Sequence, residues 1–249
     1  MIEVKKLGVK FQDRKIISDI SFEINEGDKI AIIGPSGEGK SVLLKTIIGL
    51  LEPFKGNVII EGLDIHKEDE ININRVRNKI GVLFQGGALF DFLNVEDNIA
   101  FPLIAHENLT EKEVKMRVDE SLEMVGLKGC NKKMPDELSG GMQKRAALAR
   151  SIVRKPKYMF YDEPTSGLDP ILSNVIDDLI SHLNETLGMT SLSITHNVES
   201  LSKIATKVFL IYNGEIKYSG PPEELKNSNN QYLKQFISGS LIGPINTNR

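Results

Sequence analysis

The run Gly34-Pro35-Ser36-Gly37-Glu38-Gly39-Lys40-Ser41 constrains the chain more than any other stretch. It matches G-x-x-x-x-G-K-[ST], the pattern of a phosphate-binding loop. It follows Lys29-Ile30-Ala31-Ile32-Ile33, a β-branched run that predicts a buried strand, and leads through Val42 into a predicted helix that Gly49 stops. Strand, glycine-rich turn and helix N-terminus are the context such a loop requires. Glycines let the backbone curl so that successive N–H groups face phosphate oxygens. The helix N-terminus adds unsatisfied donors and a positive dipole. Lys40 is placed to reach the outer phosphates, and the Ser41 hydroxyl to ligate Mg²⁺.

Around this loop, strand and helix signals alternate. Residues 2–11 and 16–24 predict two antiparallel strands with a polar turn between them. Residues 57–61 predict a short strand, and 68–77 a polar loop with a short helix. Residues 79–84, 157–161 and 190–195 predict buried strands. Residues 207–212 and 215–219 predict a hairpin around Asn213-Gly214. Thr110 and Glu113 form a capping box for a helix that Gly126 stops, and Asp169-Pro170 opens another that ends at Gly188. Residues 142–153 predict a helix, and a further one runs from His196 to about Ala205; residues 88–109 read as mixed. The pattern implies an α/β fold: a P-loop core with a mostly parallel sheet, an N-terminal antiparallel β lobe and an inserted helical lobe over about 88–155. Ligands on such sheets bind at the C-terminal ends of strands. The phosphate loop, Gln85, Asp162-Glu163 and His196 each follow a predicted core strand.

Asp162 is placed to hold a phosphate-bound Mg²⁺, and Glu163 to polarise a water aimed at the terminal phosphate. Gln85 is either a group that touches Mg²⁺ or orients a water, or a polar turn residue. His196 is either a γ-phosphate contact or a structural histidine. Leu138-Ser139-Gly140-Gly141-Met142 forms a second serine- and glycine-rich helix start. It is either a second anion site or an ordinary N-cap. One nucleotide has one triphosphate, so a second cap suggests a nucleotide held by another copy of the chain. Lys144, Arg145, Arg150 and Arg154 read as a solvated basic face.

Composition excludes several classes. The net charge of −3 provides no basic field for nucleic acid, and the lack of tryptophan argues against base-stacking surfaces. The single cysteine, Cys130, excludes an internal disulfide and fits a reducing compartment. The first residues show no signal-peptide pattern, and no apolar run approaches the ~20 residues of a membrane span.

Taken in order and spacing, residues 34–41, Gln85, 138–142, 158–163, Ser166-Gly167-Leu168-Asp169 and His196 resemble the conserved motifs of ABC transporter ATPases. These are Walker A, Q-loop, signature, Walker B, D-loop and switch histidine, and the resemblance spans about residues 2–220. It implies ATP and Mg²⁺ as ligands. It also implies a head-to-tail homodimer with each ATP between one copy's P-loop and the other's signature. Glu163 becomes the catalytic glutamate, Gln85 and Asp162 join Ser41 as Mg²⁺ ligands, and Phe11 matches the aromatic that stacks on adenine; by position alone Phe11 also reads as a core strand residue. Met142 stands where the family more often has glutamine. Residues 85–91, Phe101-Pro102-Leu103 and Gln235-Phe236 further resemble the Mla/Mce-type phospholipid-transport ATPases of Gram-negative bacteria. That resemblance implies an integral membrane permease, with lipid-binding and small accessory subunits, at the cytoplasmic face of the inner membrane. The aromatic stretch between Gln85 and Pro102 is then either the groove that receives the permease or part of the lobe's interior. A soluble ABC ATPase acting on ribosomes or DNA is the rival, although such chains usually carry two cassettes. Residues 221–249 read as a tail, either an oligomer contact or a frayed end.

Overall fold

The computed structural model describes residues 1–246, so the last three positions of the expected tail lie outside the described residues. The chain divides into two compact units, Met1–Arg77 with the segment from Thr190 onward, and Asn78–Met189.

The first unit holds two groups of strands. β1 (Ile2–Phe11) and β2 (Arg14–Ile24) pair antiparallel, as their alternation predicts. Ile2, Val4, Leu7 and Val9 face inward with Ile17, Ile20, Phe22 and Ile24. β4 (Lys55–Ile60) pairs antiparallel with β1, and the two-residue β5 (Leu63–Asp64) extends the sheet in the order β2-β1-β4-β5. The β lobe is therefore larger than the two leading strands suggest. β3 (Lys29–Ile33) lies parallel to both β8 (Thr190–Ile194) and β9 (Lys207–Tyr212). All four residues of the run Ile30–Ile33 are buried, as a strand covered on both faces requires. β9 turns at Asn213-Gly214 into the antiparallel β10 (Glu215–Gly220). α1 (Lys40–Ile47) leaves the phosphate loop and α2 (Glu70–Arg77) closes the segment.

One expectation changes here, and one alternative left open for the tail is decided. The helix expected to run to Ala205 is only the single turn α7 (Leu201–Ile204). Ahead of it, side chains of Thr195 and Asn197 accept hydrogen bonds from Asn197 N and Glu199 N, competing with a helix start. The tail, by contrast, is built in. α8 (Gln231–Ser238) packs on β10, and Leu233 and Ile245 are buried. The Gln235 amide accepts from Ile245 N (2.6 Å) and donates to Ile245 O (2.9 Å) and Ser240 O (3.2 Å). Up to Asn246 the tail is not a frayed end.

In the second unit β6 (Ile80–Leu83) and β7 (Tyr158–Asp162) are parallel. The span 88–155 holds α3 (Val95–His106), α4 (Glu111–Met124) and α5 (Gly140–Ile152), and α6 (Pro170–Thr186) follows β7. Residues 88–109, mixed by sequence, contain α3 because Asn94 caps it (Asp97 N to Asn94 Oδ1, 2.8 Å). Pro102 inside the helix obscures the pattern. Asn98, fully buried, knits the preceding loop: its Nδ2 donates to Phe90 O, Leu93 O and Asn94 O, and its Oδ1 accepts from Phe90 N. Asp169 caps α6 by accepting from Ile171 N and Leu172 N. Tyr161 donates to Asn184 Oδ1 at 2.9 Å, and burial pushes its phenol pKa up.

Candidate active site

In the first unit the phosphate loop begins where β3 ends. Gly34, Gly37 and Gly39 have φ of 147°, 81° and 84°. At Gly34 a Cβ would stand 2.3 Å from Ile211 O, and at Gly39 2.5 Å from Ile16 Cγ2. Only glycine fits either place, so the loop's curl is tied to β9 and β2. Gly37 has open space above it, as the approach of a ligand to the backbone requires. Lys40 is buried, and its Nζ donates to Gly34 O (2.7 Å) and Pro35 O (2.8 Å). The ammonium is thus folded back over the loop it would serve. Pro35, Ser41 and Val42 are half-buried, and Ser36 is exposed. Glu38 Oε2 accepts from Asn213 N at 2.6 Å, joining the loop to the β9–β10 hairpin.

Beside the loop lies a cavity of about 330 Å³, lined by Arg14, Lys15, Ile16, Gly37, Glu38, Asn213 and Gly214. Phe11 pairs with Arg14 at the end of β1 and is 48% exposed. The ring is therefore not a core residue, and its exposed face is open to stacking by a flat group. His196 is also exposed, one residue beyond buried Thr195 after β8. His66, elsewhere in this unit, places Nε2 3.0 Å from Thr46 O near the end of α1. Burial holds the His66 pKa below the ordinary histidine value, opposed by that carbonyl and by Asp64.

In the second unit Asp162, buried, is the last residue of β7. Glu163 then takes φ of +48° and is half-buried. β7 ends before Glu163, and the left-handed backbone there sets the direction of its carboxylate. Gln85, two residues past β6, donates through Nε2 to Glu163 Oε2 (3.0 Å) and to Ser166 Oγ (3.2 Å). Two sequence-predicted residues 78 positions apart are therefore hydrogen-bonded, and Ser166 joins them. A carboxylate held this way can accept a proton from a water, with the amide fixing its orientation.

The Ser139-Gly140-Gly141-Met142 run opens α5. Ser139 Oγ caps it by accepting from Met142 N (3.4 Å), and Ser139 and Gly140 are exposed while Gly141 is buried against Leu172. Three of the four predicted basic residues, Lys144 and Arg150 on α5 and Arg154 just beyond it, are not part of a solvated face. Lys144 is 8% exposed and its Nζ donates to Gln85 O. Arg150 donates to Gly87 O (2.8 Å) and Ala88 O (2.7 Å), and Arg154 pairs with Glu107. Burial lowers the pKa of both Lys144 and Arg150, with the Glu163 carboxylate opposing the shift at Lys144. The available signal was apolar residues all round the helix. Ala146, Ala147, Leu148, Ala149 and Ile152 are all buried, which leaves no free face for the cations.

Next to the Gln85 loop, Phe90 meets Phe92 (ring centroids 5.6 Å apart) and Phe101 (5.0 Å), with Arg150 over the Phe90 ring. Phe92, Phe101 and Ile104 are exposed. The aromatic stretch is surface, not lobe interior. A cavity of about 420 Å³ adjoins it, lined by residues that include Gly86, Leu89, Pro135 and Gln143.

Comparison with known proteins bears directly on these features. The model of the ABC transporter family matches residues 17–166, from β2 through the phosphate loop to Ser166. The chain belongs to the ABC transporter family. This ABC ATPase is 42% identical to the intermembrane phospholipid transport system ATP-binding protein MlaF of Haemophilus influenzae, over 98% of this chain and 93% of that one. It is equally identical to a probable ribonucleotide transport ATP-binding protein of Mycobacterium leprae, over 98% of this chain and 70% of the relative. Among solved structures it resembles a dimeric ATP-binding cassette in a post-hydrolysis state bound to ADP and Pi. The TM-score is 0.81 at 29% identity, over 89% of this chain and 99% of the other. The mixed architecture, an antiparallel sheet beside mostly parallel strands, agrees with that neighbour. Among the described residues no helix is long and apolar enough to cross a membrane.

Proposed function

We propose that the chain is the ATP-hydrolysing subunit of a transporter that moves phospholipid between membranes, acting as a head-to-tail homodimer beneath an integral membrane permease. The Gln85–Glu163 hydrogen bond is the observation that carries the catalytic part. It supports Glu163 as the group that takes a proton from the attacking water. Residues 34–41 and Val42 cradle the triphosphate, Phe11 carries the adenine, and His196 contacts the γ-phosphate. The oxygen donors Ser41, Asp162 and Gln85 suit Mg²⁺, which neutralises charge on the phosphates when bound. Ser139, Gly140, Gly141 and Met142 of one copy close on the nucleotide of the other. Closure on ATP and opening after hydrolysis drive the permease.

The near-full-length likeness to MlaF supports phospholipid as the cargo. The exposed Phe92–Phe101–Ile104 surface beside Gln85 supports a permease contact there, because clustered exposed aromatics mark partner surfaces. Lipid-binding and small accessory subunits are expected partners, and the inner membrane's cytoplasmic face is the expected location. The test is to tag the chain in its native host, solubilise membranes in mild detergent and analyse what co-purifies. The expected result is a permease with bound phospholipid whose movement between vesicles requires ATP. ATP-dependent ribonucleotide uptake without lipid movement would overturn the cargo, and recovery with ribosomes or DNA would overturn the transporter reading.

A further inference from the structure

Helix α5 does more than present Ser139–Met142 at its N-terminus. One of its faces lies directly under the Gln85 loop. Lys144 donates to Gln85 O, a Cβ on Gly87 would meet the Ala147 methyl at 3.2 Å, and Arg150 takes Gly87 O and Ala88 O. These three residues follow one another at three-residue spacing along the helix, so one ridge carries the whole loop. Of the two cations, Arg150 secures the loop two and three residues downstream of Gln85. Lys144 secures Gln85 itself, whose side chain ends on Glu163 and Ser166. An ammonium that is 8% exposed is costly to bury unless paired. Here it has the Gln85 carbonyl, and the Glu163 carboxylate acts on it through charge.

We propose that Lys144 is a positioning residue for ATP hydrolysis: it fixes the main chain at Gln85 so that the Gln85 amide meets the Glu163 carboxylate. It does so from the same helix whose start forms the Ser139–Met142 cap. The main chain at Gln85 is thereby tied to the helix that carries that cap. This rests on the reading of Glu163 as the base.

The test compares Lys144→Met, which keeps the apolar stem, with Lys144→Arg, which keeps a cationic donor, in the full-length chain. Steady-state ATPase, ATP affinity from a fluorescent analogue, and thermal unfolding are read for each. Because Lys144 acts through the Gln85 side chain, the fall in kcat for Lys144→Met is bounded by the loss of that side chain's charged hydrogen bond, about 10- to 30-fold. ATP affinity and melting temperature stay near wild type, because Arg150 still holds the loop. Lys144→Arg recovers most of the rate. In a Gln85→Ala background Lys144→Met costs less than about a third of its effect in wild type on a logarithmic scale, because it acts through Gln85. Wild-type kcat in Lys144→Met, equal loss of ATP affinity and kcat, no rescue by arginine, or independent losses in the double variant would each overturn the inference. Glu163→Gln measured alongside separates the two claims. If that variant turns over normally the base is misassigned, whereas its loss beside an active Lys144→Met refutes only the role of Lys144.

Discussion

Replacing Gln85 by alanine isolates the contact on which the catalytic reading stands. The substitution removes two hydrogen bonds, 3.0 Å to Glu163 Oε2 and 3.2 Å to Ser166 Oγ, and leaves the Lys144 bond to the main-chain carbonyl. A hydrogen bond to a charged group contributes about 1.5–3 kcal/mol. Gln85 is exposed, so the lower end applies, about 1.5–2 kcal/mol. If that bond orients the base only during hydrolysis, kcat falls by about 10- to 30-fold. ATP affinity falls by much less than kcat, because the Glu163 bond belongs to the reacting state while Ser41 and Asp162 remain to hold Mg²⁺. In the assembled transporter, lipid moved per ATP falls further than ATPase does, since the loop also adjoins the exposed aromatic surface. The assay is ATPase and nucleotide titration on the chain, followed by lipid transfer with partner subunits in vesicles. Parallel losses of ATPase and ATP affinity would refute the reasoning, as would an unchanged kcat.

Three further outcomes follow from other sites. Gly34→Ala puts a Cβ 2.3 Å from Ile211 O at a φ of 147°; destabilisation of about 1–3 kcal/mol and loss of ATP binding are expected, by urea unfolding and nucleotide titration. Gln235→Ala strips the tail of its buried clamp, and the Ile245 amide, now held at 2.6 Å, should exchange with solvent at least about tenfold faster by hydrogen-exchange mass spectrometry. The His66 pKa is depressed in the fold, so the unfolded chain binds its proton first as pH falls. Stability contributed at neutral pH is then lost below the unfolded value of about 6.5. Unfolding at pH 7.5 and 5.5 should show a smaller loss for His66→Gln than for wild type.

What the amino-acid sequence discloses here follows periodicity and local chemistry. The phosphate loop is legible because strand, glycines and helix start are contiguous, and Asp169-Pro170 because capping is local. α3 escapes notice because Pro102 breaks its pattern while Asn94 and Asn98, which build its start, are common loop residues. The roles of Lys144 and Arg150 escape for a different reason. Their partners are main-chain carbonyls 59 to 63 positions away, and carbonyls carry no residue signature. Gln85 and Glu163 were singled out by position after strands, yet their mutual bond depends on the left-handed turn at Glu163, which nothing in the local sequence signals. The tail looked polar enough to fray, but Gln235 satisfies it from within.

The central claim is that this chain hydrolyses ATP with Glu163 as the base in a site completed by a second copy. The direct measurement is ATP turnover by wild type and Glu163→Gln, with the mass of each in ATP followed by light scattering. The account predicts at least about a 100-fold loss of turnover, with ATP retained and the variant held at twice the monomer mass. Near-normal turnover in Glu163→Gln, or an ATP-loaded variant that stays monomeric, would contradict it.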